Sequence, residues 1–132
     1  MKKNISLLIV LSTFILIFIG SHVVTAQTSD LTSQAKKFLT LLSGGDYKTA
    51  EGMFDEAMKS AVPEQKLKET WQALQTQFGS FKEHGSVRKE NIQDHEVVFV
   101  TCRFEKTSLD SQIAFDKEGL IAGLYFIPTI SK

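Results

Sequence analysis

The chain has 132 residues, 15 basic against 15 acidic side chains, 42% hydrophobic residues and one cysteine. That length gives room for one small domain. A lone Cys102 excludes an internal disulfide framework, and the balanced charge lacks the basic excess that marks a nucleic-acid surface.

Much of the apolar content sits in the first 26 residues. Lys2 and Lys3 form a positive n-region, Ile5 to Ile19 is an apolar run broken only by Ser6, Ser12 and Thr13, and Val24-Thr25-Ala26 supplies a cleavage site. In that order and spacing, residues 1–26 read as a secretory signal peptide cleaved after Ala26. The alternative is an uncleaved anchor, for which the run is slightly short of the ~20 residues a spanning helix needs. The protein is therefore expected to be exported, periplasmic or secreted, with no membrane attachment after cleavage. No cysteine lies near the cleavage site to carry a lipid. Losing Lys2 and Lys3 takes the basic count from 15 to 13 against 15 acidic residues, so the mature chain is slightly acidic. Residues 27–132 then form a single domain, large enough to bury somewhat over ~60% of the surface its unfolded chain exposes.

Ser29 or Asp30 can cap a first helix, and Leu31, Ala35, Phe38, Leu39 and Leu42 recur at helical spacing. Ser43-Gly44-Gly45 ends it, since glycine accepts the left-handed conformation at a helix C-terminus. Asp46 can cap a second helix, with Tyr47, Ala50, Met53, Phe54, Ala57 and Met58 as its apolar stripe. Val62-Pro63 stops that stripe, and proline suits the start of a new helix. Leu67, Trp71, Leu74 and Phe78 mark the third, which Gly79 closes. The period then becomes alternating. Residues 81–92 read as a polar edge strand with Gly85 as a break or bulge. Residues 96–105 are the strongest strand, β-branched and aromatic through the middle. Residues 109–116 alternate, Asp116-Lys117-Glu118-Gly119 is a hairpin turn, and residues 120–127 form the last strand before Pro128. Short connections force antiparallel neighbours. The expected fold is α+β: three N-terminal helices packed on a curved antiparallel sheet of about four strands.

The segment from Gly45-Asp46-Tyr47 through Pro63, the Trp71 helix, Phe78-Gly79 and the Phe115-Asp116…Gly119…Gly123-Leu124 hairpin resembles the bacterial domain of unknown function numbered 3887. The resemblance covers roughly residues 31–128. It implies a small member of the nuclear-transport-factor-2-like, or cystatin-like cone, superfamily, whose curved sheet wraps its helices and leaves a cavity on a concave face. Similar domains occur alone in exported proteins and just before α/β-hydrolase domains. The family supplies no accepted catalytic motif, and fold likeness is a weak warrant for chemistry.

Little in the residues points to catalysis. His84 and His95 lie in polar, turn-like contexts, and a metal site needs three or four converging ligands. Asp94-His95-Glu96 reads as a solvated hairpin turn, and no metal is expected. Cys102 shares a strand face with Val98, Val100 and Phe104, which reads as a buried, inert thiol. It lacks a nearby histidine unless the fold returns His84 to it. No GxSxG, P-loop or GxGxxG spacing appears, and no cofactor is expected. Lys36-Lys37 and Arg88-Lys89 read as solvated pairs. Asp55-Glu56 and Asp110 are the carboxylates placed to enter a cone. Asp110 is the best general-base candidate if its face lines a pocket, whereas its place near a strand end reads as solvent-exposed.

The strands at 96–105 and 120–127 are apolar on both faces. One face covers the helices, and the second needs a cover of its own. Trp71, Val97, Phe99, Leu124 and Phe126 are the candidate pocket or interface residues. The expected role is a non-catalytic binding or interaction domain, holding a small apolar ligand or a partner protein on the concave sheet face. The alternative is a small cone-fold enzyme, or an accessory domain to a separate hydrolase, with an Asp/His acid–base pair. A third reading is a homodimer formed by sheet packing.

Overall fold

The computed structural model describes residues 31–129. The signal peptide, its cleavage after Ala26 and the caps at Ser29 or Asp30 lie outside the described residues.

Helix α1 (Leu31–Ser43) buries Ala35, Phe38, Leu39 and Leu42, the stripe its spacing predicts. Gly44, Gly45 and Asp46 fold back onto its last carbonyls, and Gly45 takes a positive φ of 83°. The side chain of Asp46 then accepts from Thr49 N at 3.2 Å and opens α2 (Tyr47–Glu51). The expected second helix does not run on to Met58. It breaks at Gly52, and α3 (Glu56–Ala61) starts afresh, with Asp55 accepting from Met58 N at 2.8 Å. The break has a tertiary cause. Met53 O accepts from Ile121 N at 2.8 Å and Asp55 N donates to Ile121 O at 2.9 Å, so Phe54 makes a parallel bridge to the last strand. Helical hydrogen bonds through this turn are exchanged for sheet bonds. Phe54 is buried here, 5.6 Å from the Phe38 ring.

Helix α4 (Glu64–Phe78) follows Pro63, which has no side-chain donor or acceptor to cap it. The missing cap comes from outside the helix: Glu51 Oε2 accepts from Glu64 N at 2.9 Å. Leu67 and Trp71 are buried, with Leu74 and Phe78 packed against them.

Four antiparallel strands follow in sequential order: β1 (Phe81–Ile92), β2 (His95–Phe104), β3 (Ser108–Phe115) and β4 (Ile121–Pro128). β1 is an edge strand with irregularities at Phe81/Glu83 and His84/Val87, the second spanning Gly85. Such bulges bend a strand and raise its twist. Gln93 and Asp94 link β1 to β2 with φ of 50° and 68°. This is the two-residue mirror-image turn that matches strand twist, built without the glycine such turns favour. The β3–β4 turn is fastened by Asp116, whose Oδ1 accepts from Glu118 N and Leu120 N, both at 2.9 Å, with Gly119 at a φ of 83°.

The helices cover one face of this curved sheet. Val98, Val100, Cys102 and Phe104 of β2, with Leu109, Ile113 and Phe115 of β3, join the helical stripes in one core. Trp71 sits at its aromatic centre, 5.5 Å from Phe81, 5.7 Å from Phe104 and 6.1 Å from Phe126. Among the described residues the three expected helices become four by the break at Gly52–Asp55; the α+β class and the strand order are as the sequence indicates.

Candidate functional site

The strand register divides the five apolar candidates between two faces. Val98 pairs with Ile113, which pairs with Leu124, and Ser111 pairs with Phe126. Leu124 and Phe126 therefore face the helices, packed against the core that holds Trp71. Val97 pairs with Ala114 and on to Gly123, while Phe99 pairs with Gln112 and on to Tyr125. Val97 and Phe99 thus lie on the second face with Tyr125 and Ile127, and the grouping of all five into one patch is corrected. β4 also carries a bulge that breaks its simple alternation. Phe115 pairs with Ile121 but Ala114 pairs with Gly123, so Ala122 is an extra residue. It places Ile121 in the core, on the side opposite Tyr125 and Ile127. A one-residue slip exchanges the faces of a strand.

The second face is apolar at its centre without being open. Val97 is 2% and Phe99 6% exposed, and neither belongs to the core shared with the helices. The Arg88 guanidinium lies 4.1 Å over the Phe99 ring. A cation over an aromatic face is drawn to the ring quadrupole. The same guanidinium donates from Nε to Glu90 at 2.9 Å and from Nη1 to Asp110 at 3.5 Å. Both carboxylates favour its charged form and raise its pKa.

Asp110 is 3% exposed, which overturns the solvent-exposed reading of its position. Its Oδ1 accepts from the Thr101 hydroxyl at 2.9 Å and the Thr129 hydroxyl at 3.1 Å, and its Oδ2 faces Arg88. Ser86 Oγ lies 3.3 Å from Thr101 Oγ and extends the network onto β1. A buried carboxylate persists only when hydrogen-bonded and paired, and this one is both. A general base needs a lone pair directed at substrate, whereas each oxygen of Asp110 already holds a protein donor. From the sequence Arg88 reads only as half of a solvated basic pair, and Thr101 and Thr129 are not singled out as site residues. For Arg88, the available signal was its period-two placement on β1.

The remaining candidates separate. The fold does return His84 to Cys102, since the two residues pair across β1 and β2. They do not form a reactive couple. Burial pushes the Cys102 thiol up to about 11, and its Sγ lies 3.7 Å from Val100 O. Burial, then the nearby Lys36, lowers the His84 pKa. Both shifts favour the neutral forms, whereas a nucleophilic cysteine needs the thiolate. His95 is exposed at the hairpin, its Nδ1 3.1 Å from Gln93 O. Asp55 is occupied as a helix cap, and Glu56 is exposed with Lys59 at 3.7 Å. Among the described residues, no three His, Cys, Asp or Glu side chains converge as metal ligands, and no helix is long and apolar enough to cross a membrane.

The chain is similar to a curated protein, "Esterase EstD" of Thermotoga maritima, at 26% identity over 116 residues. The match covers 88% of this chain but 27% of the relative, so the chain spans about a quarter of that protein's length. No solved structure matches significantly. The model of a family described as "Protein of unknown function (DUF3887)" matches residues 35–124, from α1 into β4. With the greater part of its length matched, the chain belongs to the DUF3887 family.

Proposed function

We propose that this protein is an exported, non-catalytic binding or interaction domain that holds a small apolar ligand or a partner protein on the second face of its sheet. One observation carries the reading: Val97 and Phe99 form an apolar centre outside the helical core, framed by the fixed polar network of Arg88, Asp110, Thr101 and Thr129. An apolar centre with a few placed polar groups is the usual composition of a recognition site. Export rests on the leader sequence. The test is a fluorescence titration of the purified chain with the apolar probe 1-anilinonaphthalene-8-sulfonate. Phe99→Ser is expected to weaken probe binding at least tenfold while the far-ultraviolet circular dichroism is kept. Unchanged affinity in that variant would remove the second face from the reading.

The similarity to an esterase favours a second reading, an accessory role toward a separate hydrolase. It predicts that the chain alone hydrolyses no p-nitrophenyl ester. Turnover that disappears in Asp110→Asn would instead establish the enzymatic alternative, with Asp110 as its acid–base residue.

A further inference from the structure

His84 stands where β1 is least regular. Between His84 and Val87 the β1–β2 register slips, and Gly85 fits there because a Cβ would meet Thr101 Cβ at 3.1 Å. His84 lies opposite Cys102, a core residue, and its ring is 5.6 Å from that of Phe81. Phe81 in turn is 5.5 Å from Trp71. α1 packs over β1 and β2 and brings Lys36 toward the imidazole. His84 Nε2 is buried, and no described residue hydrogen-bonds it.

This environment suits only a neutral ring. A proton on Nε2 would place a donor and a positive charge at a buried atom that meets no acceptor among the described residues, which is costly. The charge facing it from α1 is Lys36, of like sign, and the group opposite on β2 is the Cys102 thiol, held neutral by burial. The neighbours on β1 are engaged elsewhere: Lys82 lies 3.8 Å from Glu105 and Glu83 lies 3.5 Å from Arg103. We propose that His84 is an acid-responsive latch on the seam between α1 and the edge strand β1, closed while the imidazole is neutral and loosened when Nε2 takes a proton from solvent.

The sign follows from linkage. The folded chain binds this proton more weakly than the unfolded chain does. The latch's stabilisation is therefore complete above the ordinary imidazole value near 6.5 and is lost as pH falls toward the lower folded value.

Three measurements on the full-length chain between pH 7.5 and 5 test this. Histidine ring NMR follows His84 and His95 separately, Trp71 emission reports the adjoining aromatic cluster, and hydrogen-exchange protection factors report the seam. The expected result is that His84 titrates below the ordinary imidazole value near 6.5. As it does, Trp71 emission shifts to the red and protection across α1 and residues 81–87 falls about tenfold, which corresponds to ~1.4 kcal/mol. His84→Phe should abolish the transition and hold protection at pH 5 at its neutral-pH level. Lys36→Gln should move the midpoint upward. The proposal is overturned if emission and protection stay constant through the His84 titration, or if His84→Phe shows the same transition. Should that variant not fold, an unmoved midpoint in Lys36→Gln overturns it instead.

Discussion

Replacing Asp110 by alanine removes the acceptor at the centre of the second-face network, and the structure sets the size of the loss. Two threonine hydroxyls donate to Oδ1 at 2.9 and 3.1 Å. Hydrogen bonds to a charged group contribute about 1.5–3 kcal/mol each before the orphaned donors find water. The Arg88 contact is longer, 3.5 Å, and the Arg88 side chain is half exposed, so it adds under about 1 kcal/mol. Alanine also relieves the burial of a carboxylate, which offsets part of the sum. The net loss expected for Asp110→Ala is about 3 kcal/mol. For a domain of this size that corresponds to a fall in Tm on the order of 10–20 °C. Asp110→Asn keeps an acceptor for both threonines and loses the charge, so about 1–2 kcal/mol is expected. Urea unfolding followed by Trp71 emission measures both variants in one series. A loss for Asp110→Ala no larger than the ~0.5 kcal/mol of an ordinary surface substitution would refute the reasoning.

Four further outcomes follow. Gly79 has a φ of +90° and a Cβ there would lie 2.6 Å from Glu105 Cβ, so Gly79→Ala should cost about 2–4 kcal/mol in urea unfolding. Asp94 sits at a φ of 68° in the β1–β2 turn, and Asp94→Gly should add about 0.5–1 kcal/mol, raising the thermal midpoint. Cys102 should resist iodoacetamide at pH 8 in the native chain and react once it is unfolded; native labelling at the rate of a free thiol would contradict its burial. Because the folded thiol is pushed up to about 11, the stability it contributes is complete below the unfolded value near 9 and drains away as pH rises between the two, a loss that Cys102→Ala should not show.

The fold was largely legible because most of its boundaries are marked by local chemistry. Gly45, Asp46, Pro63, Gly79, Gly85 and Gly119 punctuate the elements where the structure turns, and the alternation of residues 96–105 matches β2 to within a residue. The split between α2 and α3 was not legible. Met53 and Phe54 satisfy a helical stripe as well as they satisfy a bridge, and the deciding partner, Ile121, is 67 positions away from Phe54. The candidate site was legible only in composition. Both faces of two strands were correctly read as apolar, but which β4 face meets Val97 and Phe99 is set by pairing through β3, and the bulge at Ala122, which leaves no mark in the residue pattern, puts Ile121 on the same side as Leu124 and Phe126. The burial of Asp110 likewise depends on Arg88 and Thr129, donors 22 and 19 positions away.

The two borders of the sheet differ in a way that bears on self-association. β1 carries Lys82, Glu83, Arg88, Lys89 and Glu90 along its length, and an edge strand so charged and bent repels another strand seeking to pair with it. At the opposite border, the Met53–Asp55 segment already occupies the start of β4 through both its bonds to Ile121. A growing ribbon of these sheets would have to displace that segment on one side and neutralise a row of charges on the other. Both borders are thus guarded against edge-to-edge pairing, one by charge and bending and the other, at Ile121, by a segment of the chain itself.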